Sequence, residues 1–306
     1  MVSGEYAVLN GAPAVVAAVD RRAFASAQPA ASDAPAEARA AYAQAERSLG
    51  VRSGHHVGVD VSKLRAEGSK LGLGSSAAAA AAAAGLAFAE QGRDVSSPAV
   101  RAQIFDVALR GHREISPQGS GADVAAAVHG GFLRFRTHRD TVEAHVIAWP
   151  EQLHARVVWT HQEARTSRFL ESVAALAQAR PEVHRTRMAA LAREAERFAD
   201  ALMHKDVSSV VASTHAYGLA MEELGVAAGV PIVTDTLRQV AALAQRAGGA
   251  AKPSGAGGGD VALALFPDTA SDQRFEALCR EQNFTLLLLN LGASGVSTEG
   301  ALHGTR

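Results

Sequence analysis

A chain of 306 residues, 48% hydrophobic and 20% charged, has the composition of an ordinary folded protein, with length for one large domain or two smaller ones. Its formal net charge of −1 gives no global field toward nucleic acid or an anionic membrane. The longest apolar run, Ala77 to Ala84, is too short and too alanine-rich to span a bilayer.

A lone cysteine, Cys279, excludes an internal disulfide and points to a reducing, cytoplasmic setting. The first residues, Met1-Val2-Ser3-Gly4-Glu5, lack the basic start of a secretory signal. Glu5–Leu9, Ala14–Val19 and Arg22–Ala27 read as short strands, the first two joined by a hairpin turn at Asn10-Gly11. Pro29 to Gly50 reads as a loop and then an exposed helix, and the alternation over His55–Val61 as a half-buried strand. Helices are expected over Ser75–Gln91 and Ser97–Arg113, followed by a short helical turn at Asp123–Val128 and strands at Gly130–Phe135 and Val142–Trp149.

Pro150 marks a boundary between residues 1–150 and 151–306. Beyond it, His154–Thr160 reads as a strand, and helices dominate from Thr166 to Ala247 with a break at Pro181. Strand Asp260–Phe266, helix Ser271–Gln282 and strand Phe284–Asn290 complete an α+β second half.

Three glycine-rich loops punctuate this order: Gly72-Leu73-Gly74-Ser75-Ser76, Gly119-Ser120-Gly121-Ala122-Asp123 and Ser254-Gly255-Ala256-Gly257-Gly258-Gly259-Asp260. Glycine lets backbone N–H groups approach a ligand closely, and a helix opening after such a loop directs its positive dipole end there. The pattern points to a polyphosphate site. Ser75 and Ser76 either cap their helix or bind Mg²⁺, and Asp123 is either an N-cap or a reacting carboxylate. Asp260 is better suited to holding its loop by hydrogen bonds, and Gly257-Gly258-Gly259 implies close approach of the backbone to something. Only four residues are lysine, and two of them, Lys70 and Lys252, flank glycine loops where a compact ammonium suits a phosphate.

These segments resemble the GHMP kinases, the family named for galactokinase, homoserine kinase, mevalonate kinase and phosphomevalonate kinase. Gly4-Glu5-Tyr6-Ala7-Val8-Leu9-Asn10-Gly11 echoes its first motif. Lys70 through Ala78 matches the second and Lys252 through Asp260 the third. Gly-Glu-Tyr at 4–6, Lys70 before the serine loop, Gln118 through Val128 and the Trp159-Thr160 strand end are similar to the phosphomevalonate kinase branch.

The resemblance implies a two-lobed α+β fold, with an N-terminal α/β lobe that binds ATP and a C-terminal ferredoxin-like α+β lobe. It implies a site in the cleft between lobes and γ-phosphoryl transfer from ATP to 5-phosphomevalonate. ATP would lie over Gly72, Leu73, Gly74, Ser75, Ser76 and Ala77, with Ser76 the Mg²⁺ ligand and Asp123 and Lys70 catalytic. Glu5, Tyr6, Ser120, Gly121, Arg165, Thr166, Ser167, Lys252, Ser254, Gly255, Ala256, Gly257 and Gly258 would face substrate. The expected partner is this small molecule, bound by a monomer or homodimer, with no nucleic acid or membrane. A kinase with an alcohol acceptor and an inactive nucleotide- or metabolite-binding protein of the same fold stay open.

Two departures bear on these alternatives. The family's Ala-Pro-Gly-Lys segment, ahead of the first motif, is not in this chain, which begins three residues before Gly4. Mevalonate kinases carry a Mg²⁺-binding glutamate eleven residues before the aspartate, where this chain has His112, with Glu114 nearby.

Overall fold

The computed structural model describes residues 1–30, 33–138, 141–164 and 166–299. Its elements in chain order begin with β1 (Ala14–Ala17), β2 (Phe24–Gln28), α1 (Ala36–Leu49), β3 (His56–Asp60) and the hairpin β4 (Arg65–Ala66) and β5 (Ser69–Lys70). Then come α2 (Ser75–Glu90), α3 (Pro98–Ile115), α4 (Ala122–His129), β6 (Phe132–His138), β7 (Thr141–Ile147) and β8 (His154–Trp159). The chain continues through α5 (Thr166–Ala179), α6 (Pro181–Met203), α7 (Val207–Ala228) and α8 (Asp235–Ala247). It ends with β9 (Ala250–Ser254), β10 (Val261–Phe266), α9 (Thr269–Glu281) and β11 (Thr285–Leu287).

The expected first strand is absent. Tyr6 has a left-handed φ of 62°, which breaks an extended run, and Ala7–Asn10 form a 3-10 helix ended by Gly11 at φ 85°. Asn10-Gly11 is therefore a helix stop and not a hairpin turn. Helix α1 is also less exposed than its polar composition suggested, because Ala38, Ala41, Tyr42 and Ala45 form a buried stripe at helical spacing. Strand β9 contains a lysine and a proline and did not read as a strand. Proline is tolerated because β9 lies at the sheet edge, where a missing N–H costs little.

These elements form two compact units, each assembled from separated stretches of chain. The first comprises Met1–Ala17, Arg65–Leu73 and Phe132–Asn290, so Pro150 falls inside it. The second comprises Ala18–Leu64, Gly74–Gly131 and Leu291–Glu299 of the described residues.

In the first unit, β1, β6 and β7 make an antiparallel sheet with Val16 opposite Leu133. A four-stranded antiparallel sheet has the order β11-β8-β10-β9, in which Leu263 of β10 sits between Val157 and Lys252. Every residue of the central strand β10 is buried. Its core includes Leu191, Tyr217, Met221, Val240, Phe266 and Phe275. The apolar spacing expected along α6 is buried at Met188, Leu191, Ala195, Phe198 and Leu202. Cys279 is buried too, and desolvation raises its thiol pKa to about 11, so it is a core residue and not a nucleophile.

The second unit is held by close helix packing. Ala77, Ala79, Ala80, Ala81, Ala83, Ala84 and Ala87 of α2 are buried, so the alanine run forms an internal helix. No helix among the described residues is long and apolar enough to cross a membrane. Gly111 of α3 lies so close to α1 that a Cβ on it would stand 2.4 Å from the Ala41 backbone. Helix propensity alone favours Gly111→Ala by ~1 kcal/mol, whereas forced separation of two packed helices costs about 1–3 kcal/mol. We expect Gly111→Ala to lower the urea midpoint; a raised midpoint would contradict this close approach.

Candidate active site

In the second unit, two helices open directly from glycine loops. Gly74 (φ 77°) precedes α2, and no side chain caps that helix. The Ser75 and Ser76 hydroxyls are thus not spent on capping. Ser76 Oγ instead lies 3.4 Å from Nε2 of the buried His112 on α3. Gly121 (φ 85°) precedes α4, whose first turn carries Asp123.

Asp123 is exposed, and its Oδ1 accepts the Val124 N–H at 3.0 Å. A Cβ on Gly74 would stand 3.6 Å from the Asp123 Cβ, so the starts of α2 and α4 abut. Both starts carry partial positive charge, and the α2 start also leaves its first N–H groups without a side-chain acceptor, the setting in which a phosphate binds. Ser120 lies beside this point, its Oγ accepting the Ala122 N–H at 3.3 Å.

Among the described residues no group of three or more His, Cys, Asp or Glu could hold a metal. Magnesium in phosphoryl transfer needs only one or two protein oxygens, since phosphates and waters supply the rest. The uncapped Ser76 hydroxyl fits that requirement. Glu114 does not, because its carboxylate faces α1, accepting from Gln44 and pairing with Arg47 at 3.4 Å. His112 Nδ1 is buried without a hydrogen-bond partner among the described residues.

In the first unit, the first and third glycine loops meet. Gly72 (φ 73°) rests on Asp260, and a Cβ there would stand 2.3 Å from the Asp260 Cβ. Asp260 is itself left-handed, at φ 52°. Its Oδ1 accepts the Ala164 N–H at 3.0 Å, its N–H donates to Gln162 at 2.6 Å and its carbonyl accepts from Thr160 at 2.9 Å. It holds the loop, as its place in the sequence suggested. Lys70 ends β5 and is exposed, with its charge felt at Asp260. Thr166, Ser167 and Arg168 are exposed in the first turn of α5. Arg165 lies outside the described residues.

Glu5, Tyr6 and Lys252, expected to face substrate, are turned inward. Each is at most 5% exposed. Lys252 Nζ donates to Glu5 Oε1 at 2.5 Å and to the Pro253 carbonyl at 2.9 Å. The same Glu5 oxygen accepts the Gly255 N–H at 3.4 Å, and the Tyr6 hydroxyl donates to the Ala256 carbonyl at 2.5 Å. Burial lowers the Lys252 pKa, opposed by the charge of Glu5, and burial raises the phenols of Tyr6 and Tyr217. Close packing, which no ligand is needed to explain, accounts for the triple-glycine run. A Cβ on Gly257 would stand 2.2 Å from the Ile232 carbonyl, and one on Gly259 2.4 Å from the Gln162 carbonyl. Ser254 Oγ donates to the Met1 carbonyl at 2.7 Å. Tyr217, which gave no sequence signal beyond its helical spacing, donates to the Glu5 carbonyl at 2.7 Å.

Burial raises the Asp260 pKa most, partly offset by the Ala164 hydrogen bond; Glu163 raises it further and Lys70 lowers it. The folded chain therefore holds this proton more tightly than the unfolded chain. Between the ordinary carboxylate value and the raised one, wild-type stability falls as pH rises. Asp260→Asn keeps the acceptor for Ala164, and asparagine tolerates a left-handed φ. Its Tm should match wild type below the ordinary carboxylate pKa and exceed it at neutral pH. A gap that widens toward acid would contradict this account.

The model for GHMP kinases N terminal domain matches residues 36–131, and that for GHMP kinases C terminal matches residues 179–283. A phosphomevalonate kinase from Streptomyces sp. (strain CL190) is 27% identical over 231 residues, 69% of this chain; the match spans only 61% of that longer relative. The fold recurs in a Lin0012 protein from Listeria innocua (TM-score 0.86, 21% identity, 98% of this chain and 97% of that one). It recurs also in Streptococcus pneumoniae phosphomevalonate kinase in complex with phosphomevalonate and AMPPNP (TM-score 0.80, 18% identity, 95% and 96% covered). With both family domains matched in order and the α+β fold shared throughout, the chain belongs to the GHMP kinase family.

Proposed function

We propose that the chain transfers the γ-phosphoryl group of ATP to the phosphate of 5-phosphomevalonate, giving the diphosphate and ADP. The observation that carries this reading is the uncapped start of α2 abutting Asp123 at the start of α4. It offers backbone donors to a polyphosphate and a carboxylate beside them. The Streptomyces and Streptococcus relatives supply the acceptor class by their names.

An acceptor oxygen attacks the γ-phosphorus as the bond to the ADP oxygen breaks, and ADP leaves with that electron pair. A phosphate acceptor is already ionised near pH 7, so it has little need of a base. Asp123 then orients the acceptor or balances charge and does not remove a proton. Two anions must approach each other, so cationic groups matter more than basic ones. In this reading the phosphate- and acceptor-binding groups of the first unit are Lys70, Arg165, Thr166, Ser167, Ser254 and the third loop, and those of the second are the helix starts with Ser120 and Gly121. Ser76 would hold Mg²⁺, which when bound would supply neutralisation of phosphate charge.

The test is ADP release from Mg-ATP with 5-phosphomevalonate, mevalonate, galactose and homoserine in separate reactions. Turnover is expected with 5-phosphomevalonate alone, and Asp123→Asn should lower it by less than about 10²-fold. An alcohol acceptor would need a true base and lose roughly 10²–10⁴-fold on the same change. Turnover with mevalonate and a loss of that size would contradict the proposal, as would ATP binding without turnover on any acceptor.

A further inference from the structure

Four facts converge on the third glycine loop. Lys252 and Glu5 are the only oppositely charged pair of the first unit with both side chains at most 1% exposed among the described residues. One Glu5 oxygen accepts from both Lys252 and the Gly255 N–H, while the other is buried without a hydrogen-bond partner among the described residues. Tyr6 holds a rare backbone conformation (φ 62°, ψ −51°), and its hydroxyl reaches the carbonyl of Ala256, the next loop residue. Tyr217 anchors this turn from beneath, donating to the Glu5 carbonyl and lying 5.6 Å below the Lys252 ammonium.

Through the Gly255 N–H the buried ion pair is tied directly to the loop backbone. A strained non-glycine residue persists only where its surroundings over-determine it, and such strain gathers at functional sites. Here the strain sets both the Glu5 carboxylate and the Tyr6 hydroxyl against consecutive loop residues.

We infer that Glu5, Lys252 and Tyr6 are positioning residues: the buried pair and the Tyr6 hydroxyl fix the backbone of residues 255–259 in the arrangement phosphoryl transfer requires. The link to catalysis rests on the function proposed above; the link to loop geometry does not. Neither Glu5 nor Lys252 touches the reacting groups. Their effect passes through Gly255 and Ala256.

The test pairs turnover with amide hydrogen exchange across residues 255–259. A buried ion pair replaced by apolar groups often leaves stability unchanged, so Glu5→Leu with Lys252→Met should keep Tm near wild type. It removes the acceptor for Gly255, and loop exchange should rise roughly tenfold while kcat falls. Native exchange and native kcat in that variant would overturn the inference. Should it fail to fold, Tyr6→Phe decides, with faster exchange expected at 255–259 and not elsewhere; unchanged exchange overturns the inference. Wild type lacking turnover on every acceptor would refute the proposed function, yet exchange in the variants would still judge the positioning claim.

Discussion

A charge taken out of water needs a counter-charge, and in the first unit Lys252 and Glu5 meet that need with each other. Removing one partner from such a pair costs about 3–5 kcal/mol, because the other charge is left buried and alone. The pair joins positions 247 residues apart, so the start of the chain and the third glycine loop must fold against one another. Strand β9 depends on it, since a lysine inside a buried strand is tolerable only when its ammonium is neutralised. The 3-10 turn after Tyr6 depends on it as well, because an extended strand would not place Glu5 and Tyr6 beneath the same loop.

In the proposed reaction, backbone groups rather than side chains meet most of the phosphate oxygens. Helices α2 and α4 begin at left-handed glycines; no side chain caps α2, while Ser120 and Asp123 accept the Ala122 and Val124 N–H groups of α4. Donors of that kind suit a polyphosphate, whose oxygens are many and equivalent. Asp260 has a supporting role in the first unit. It joins the 160–164 segment to the third loop and leaves room only for glycine at position 72.

Much of this was legible in the sequence because its signals are local. Glycine followed by an apolar run marked the starts of α2 and α4, and the helical spacing in α6 marked its buried face. Glu5–Leu9 misled because Val8 and Leu9 favour a strand, while the left-handed Tyr6 that forbids one is imposed by contacts with residues near 256. β9 was hidden for the same reason: Lys252 reads as exposed unless its partner, far away in the chain, is known. The triple glycine at 257–259 suggested a ligand, yet Ile232 and Gln162 already fill the space a side chain would take. Close approach was legible there, and the identity of the neighbour was not.

The central claim is that phosphate, and not hydroxyl, accepts the transferred group. Phosphorus-31 NMR of the chain with Mg-ATP and 5-phosphomevalonate tests it most directly. The account predicts a new pair of mutually coupled phosphorus resonances from the acceptor, growing in step with ADP. ADP formed without that coupled pair, or ATP consumed only when an alcohol acceptor is supplied and a lone monoester resonance appears, would contradict it.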